Sequence, residues 1–114
     1  MKPVRIHSWN VSPDEASVIQ INLRNKVKVT ALPDAVHLVA GTAVEFDPSY
    51  DTIHAAIVIL RYPGMELVEQ YGISEEIRFP YVSGLLAFRE GPPLMHLVRK
   101  IKHQPDVILF HAHG

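Results

Sequence analysis

The chain predicts an α/β domain with a mixed sheet: a helix, three antiparallel strands, a crossover helix, and a strand returning parallel to an earlier one. Three observations carry this reading. β-Rich runs joined by tight turns fill the middle of the chain. Apolar residues recur at helical spacing on either side of that middle. An unbroken apolar run, Val107 to Phe110, follows the second helical stretch. A helix feeding such a run points to a right-handed crossover, and an unbroken run is the pattern of a central strand.

The first helix has three agreeing start signals. Ser12 can cap it, Pro13 fits its first position, and Glu15 completes a capping box. Ala16, Ile19, Leu23 and Val27 then mark one face, so the helix is expected to reach about Lys26. Leu32-Pro33-Asp34 breaks it.

Val36 to Phe46 reads as the first strand, closed by the Asp47-Pro48-Ser49 turn, and Ile53 to Arg61 as the second. After Tyr62-Pro63-Gly64, the alternation from Glu66 to Tyr71 fits a third, more exposed strand. A short helical segment is expected around Leu85 to Arg89, interrupted by Gly91-Pro92-Pro93. Leu94, Leu97, Val98 and Ile101 then define a full helix over about Pro93 to Lys102, and Gln104-Pro105 ends it.

This order makes up the first half of a ribonuclease-H-like fold, a truncated one, with residues 1–114 expected to form one unit. A sheet that stops at such a strand leaves an edge unpaired, which predicts self-association or a partner chain along that edge.

Composition narrows the function classes. At 114 residues, 47% hydrophobic and 20% charged, the chain reads as one globular domain. No apolar run nears the ~20 residues of a membrane span, so no membrane role and a cytoplasmic location are expected. Without cysteine there is neither a disulfide framework nor a thiolate metal site. The formal net charge of −1 lacks the basic excess usual in nucleic-acid proteins, although a local patch can still form.

Several motifs are more specific. Trp9, the Pro13-Asp14-Glu15-Ala16 helix start, Val39-Ala40-Gly41, the dense run from Phe79 to Pro92, Pro105-Asp106-Val107-Ile108 and the His113-Gly114 end lie along nearly the whole chain. In this pattern the chain resembles endonuclease V. The resemblance implies a ribonuclease-H-like fold and Mg²⁺-dependent cutting of DNA or RNA near deaminated purines such as inosine. It also implies carboxylate ligands, because hard cations take oxygen donors and then activate water beside the phosphate.

The match fails at those ligands. Where the family has Ala-Gly-x-Asp, this chain has Ala40-Gly41-Thr42-Ala43, so Ala43 replaces the first aspartate. Glu90, ending Phe-Arg-Glu, is kept, and His111 stands for the second aspartate. Alanine cannot coordinate Mg²⁺, and imidazole suits so hard an ion poorly. The expectation is therefore loss of Mg²⁺ and of catalysis.

An alternative is a rebuilt metal site. Glu45 shares a strand face with Ala43, and His111 shares one with His113, at roughly 7 Å by strand rise. Glu45, Glu90, His111 and His113 together would suit Zn²⁺, Mn²⁺ or Ni²⁺, against the plainer reading of solvated histidines near a chain end.

The resemblance further implies that Pro80-Tyr81 forms a wedge whose aromatic ring stacks on bases; the plain alternative is a half-buried loop tyrosine. His7, His37, His54 and His96 show no ligand spacing. Arg99-Lys100-x-Lys102-His103 reads as a basic helix end. Three functions remain open: an inactive module that binds nucleic acid or a partner, an active nuclease with a rebuilt or shared site, and an interaction protein.

Overall fold

A computed structural model describes residues 1–111; His113 lies outside them. The element order is α1 (Pro13–Arg24), β1 (Leu38–Asp47), β2 (Thr52–Arg61), β3 (Glu66–Glu76), α2 (Ala87–Lys100) and β4 (Val107–Leu109). The sheet order is β3-β2-β1-β4, with β1–β2 and β2–β3 antiparallel and β1–β4 parallel. The mixed sheet and the crossover through α2 are those expected from the sequence. No described helix is long and apolar enough to cross a membrane.

The α1 start behaves as read. Ser12 Oγ accepts from the Glu15 amide at 3.2 Å, and Glu15 Oε1 accepts from the Ser12 amide at 3.2 Å. The helix ends at Arg24, before Val27, which lies beyond it and is 74% exposed. β3 runs five residues past Tyr71, because Gly72 pairs opposite Ala56 and the alternation resumes through Ile73.

Two apolar clusters hold the layers together. In the larger, Ala55, Ile57 and Ile59 of β2 and Ala40 of β1 meet Leu94, Leu97, Val98 and Ile101. Burying each large aliphatic side chain contributes ~1.5–3 kcal/mol before entropy is charged against it. The smaller cluster gathers Ala16, Phe79, Leu85 and Phe88, with Trp9, Val11, Ile19 and Val82 against it. It joins α1, the first turn of α2 and the ends of the loop between β3 and α2.

α2 corrects the sequence reading. One helix runs through Gly91-Pro92-Pro93, and the predicted short segment is its first turn. Proline costs a helix two things, an amide donor and a clash with the preceding turn. Here that cost is offset by packing: Gly91, Pro93, Leu94, Leu97 and Val98 are all buried. Gly91 is also where Trp9 lies on the helix, since a Cβ there would sit 2.4 Å from a Trp9 ring carbon. Gly91→Val is therefore expected to destabilise the fold by ~1–3 kcal/mol, the usual cost of overpacking. Chemical denaturation followed by Trp9 fluorescence measures it.

β4 stands at the outer end of the four-stranded sheet rather than at its centre. It has three residues; Leu109 is 60% exposed, and Phe110, just after the strand, is 47% exposed.

Two carboxylates fix the frame. Asp106 Oδ2 accepts from the His37 and Leu38 amides at 2.8 and 3.0 Å, and the Asp106 amide donates back to the Leu38 carbonyl at 2.9 Å. These bonds set the parallel register of β1 and β4. They also hold the Asp106 carboxyl below its ordinary pKa, the Leu38 amide contributing most.

Glu69 on β3 takes the Lys102 amide at 3.0 Å, the His103 amide at 2.7 Å, the Tyr71 hydroxyl at 2.8 Å and lies 2.6 Å from His103 Nδ1. Burial by itself would raise its pKa; the amides of Lys102 and His103, aided by His103 and Tyr71 side chains, bring it down to about 2. A carboxyl with a depressed folded-state pKa stabilises the fold above its unfolded value and stops doing so as it protonates. Stability is expected to fall as pH drops from the ordinary 4.5 toward about 2. Glu69→Gln should flatten the slope of that fall, as measured by urea midpoints across the window.

Candidate functional site

The candidate site lies where β1, β4 and α2 converge. Thr42, Ala43 and Val44 of β1, Glu90 and Leu94 of α2, and His111 after β4 line one cleft of about 170 Å³. Its geometry follows from the frame above. Asp106 aligns the starts of β1 and β4, and the Thr42 hydroxyl donates to the Leu109 carbonyl at 3.0 Å, tying the strands together again nearer His111. α2 brings Glu90 to the cleft from its first turn.

Ala43, Glu90 and His111, far apart in sequence, are thus neighbours in one cleft. Glu45 is exposed opposite His54 in the β1–β2 register and is not among the lining residues. The fourth residue of the alternative metal set, His113, is outside the described residues. Among the described residues, no three His, Cys, Asp or Glu side chains stand together so as to hold a metal ion.

The donors do not fit Mg²⁺. A hard cation of that size asks for near-octahedral oxygen coordination. Ala43 offers a methyl group, Val44 and Leu94 are aliphatic, His111 brings nitrogen, the Thr42 hydroxyl donates to the Leu109 carbonyl, and among the described residues Glu90 is the one carboxylate lining the cleft.

Beside the cleft stands the loop from Ile77 to Leu86. Its two ends are anchored by buried Phe79 and Leu85, while Pro80 is exposed and Tyr81 is 68% exposed. Phe79 packs on Phe88 with ring centroids 5.6 Å apart, and Phe88 meets Trp9 at the same distance. Tyr81 is thus more exposed than half-buried, on a loop whose ends are fixed.

Arg89 was not singled out by sequence reasoning. Its Nε donates to the Phe79 carbonyl at 2.9 Å, and its guanidinium lies 5.2 Å from the Phe46 ring and 5.7 Å from the Tyr81 ring. The only local signal was its place between Phe88 and Glu90; contacts to β1 and to the loop are set by tertiary structure.

Other sequence candidates take ordinary roles. His54 bonds Ser74 Oγ at 2.7 Å across β2 and β3, and His96 pairs with Glu75. Arg99 and Lys100 occupy the last turn of α2, where cations complement the helix dipole.

Comparison with known proteins agrees with this fold. The Endonuclease V family model matches residues 21–114. Endonuclease V of Gloeobacter violaceus is 38% identical over 111 residues, covering 96% of this chain and 45% of that protein. The crystal structure of endonuclease V from Bacillus subtilis superposes with a TM-score of 0.82 at 28% identity, over 95% of this chain and 48% of that one. Endonuclease V of Ciona intestinalis, solved with a 23mer DNA containing an inosine followed by a ribo-adenosine, gives a TM-score of 0.68 at 27% identity, over 75% and 37% of the two chains. The chain spans about half the length of the relatives it matches. With the family model covering most of its residues and the same fold beneath them, the chain belongs to the endonuclease V family.

Proposed function

We propose that this chain is a nucleic-acid-binding module of its family that engages inosine-containing strands of DNA or RNA without cutting them by itself. The observation that carries the reading is the pairing of an exposed Tyr81, on a loop anchored by Phe79 and Leu85, with a cleft holding Ala43 and His111 beside Glu90. An exposed aromatic ring can stack on any base, because every base offers a flat face. Among the described residues the cleft offers a single carboxylate, too few anionic oxygens to hold a hard cation beside a phosphate. The inosine-bearing DNA in the Ciona intestinalis structure supports the choice of ligand class.

Fluorescence anisotropy with a labelled inosine-containing strand tests the binding. Affinity is expected to fall as salt rises, since phosphate contacts release counterions. No binding at low salt would remove the proposal.

A partner chain along β4 belongs to the same reading. Among the described residues no strand pairs with its outer side, Leu109 and the following Phe110 are exposed there, and unpaired apolar edges recruit strands. Light scattering should then give more than a monomer's mass; a monomer at high concentration would contradict it.

A further inference from the structure

We propose that Arg89 is a positioning residue that sets the attitude of Tyr81 toward the strand, rather than a contact to phosphate. The inference rests on the reading that Tyr81 stacks on bases. Three contacts meet on the one guanidinium-bearing side chain: the hydrogen bond from Nε to the Phe79 carbonyl at 2.9 Å, the Phe46 ring at 5.2 Å, and the Tyr81 ring at 5.7 Å. Both rings lie within the ~6 Å over which a cation is drawn to an aromatic face.

The loop needs such a support. Its ends are buried at Phe79 and Leu85, but Tyr81 between them is mostly exposed, and Gly84 at φ 83 lets the backbone turn there. Arg89 reaches it from a helix and leans on Phe46 near the end of β1, so two rigid elements fix the ring. The next residue, Glu90, lines the cleft. One stretch of α2 thus fixes the spacing between the stacking ring and the cleft.

A phosphate contact and a support differ in salt response. Losing a phosphate contact lowers the slope of log K against log salt by about 1, whereas losing a support leaves that slope unchanged. Anisotropy titrations of an inosine-containing strand over a salt series, on the full chain, separate them. Arg89→Gln is expected to bind about tenfold more weakly at every salt concentration, with the wild-type slope. Arg89→Lys keeps the charge but loses the planar fork, and is expected to reproduce most of that loss. Phe46→Leu, which leaves all charges in place, should weaken binding in the same sense. The double variant Arg89→Gln/Tyr81→Ala should bind no more weakly than Tyr81→Ala alone.

A reduced slope, full recovery with lysine, or additive losses in the double variant would each overturn the assignment. Should Tyr81→Ala alone leave binding unchanged, the stacking reading fails first and takes this inference with it. Wild-type affinity in Arg89→Gln, with Tyr81→Ala still weakened, would instead fault only the positioning role. Matching thermal melts for each variant guard against loss of fold.

Discussion

Replacing Tyr81 by alanine is expected to weaken binding to an inosine-containing strand by ~1–3 kcal/mol, the range for one base–aromatic stack. That corresponds to about a 5- to 150-fold rise in Kd. The effect should come without loss of stability, because Tyr81 is 68% exposed and its loop is anchored through Phe79 and Leu85 instead. The salt slope should stay at its wild-type value, since no charge is removed. Tyr81→Phe should bind as the wild type does, because the ring and not the hydroxyl makes the stack. Equal affinities for Tyr81→Ala and wild type, measured by anisotropy at low salt, would contradict the account.

The second large effect concerns the cleft. Ala43→Asp and His111→Asp together place two more carboxylates beside Glu90, on positions that line the same cavity. Affinity for hard cations rises with the count of anionic oxygen ligands. The double variant is expected to bind Mn²⁺ or Mg²⁺ at least roughly tenfold more tightly than the wild-type chain, by the same dependence on ligand charge. Mn²⁺-induced line broadening or calorimetry reads this directly. Adding Glu90→Gln to the double variant should reverse most of the gain. A wild-type chain that already binds Mg²⁺ as tightly as the double variant would show that the existing donors suffice.

The fold was legible where local signals and tertiary demand agree. Ser12, Pro13 and Glu15 announced α1, and each takes its expected place in the cap. The turn residues after Phe46 and Arg61 separated strands that pair in the expected antiparallel order. The failure at Gly91-Pro92-Pro93 has a definite cause. Local rules read those residues as a break, but burial of Pro93 and the fit of Trp9 over Gly91 hold the helix together. Such long-range compensation has no local mark.

The candidate site was legible in part for the same reason. Ala43, Glu90 and His111 could be matched to motif positions, and the structure brings them to one cleft. The supports could not be read. Asp106, Thr42 and Glu69 act through partners distant in sequence, bonding Leu38, Leu109 and Lys102 respectively. Arg89 was visible only as a letter of a motif, while its work depends on Phe46, 43 residues earlier, and on the loop that carries Tyr81.

The central claim is that the chain binds without cutting, and one reaction tests both halves. An end-labelled inosine-containing strand is incubated with excess protein and Mg²⁺ or Mn²⁺, then divided between a native gel and a denaturing gel. The account predicts a retarded complex on the first and intact strand on the second. Metal-dependent product that disappears with Glu90→Gln would contradict it.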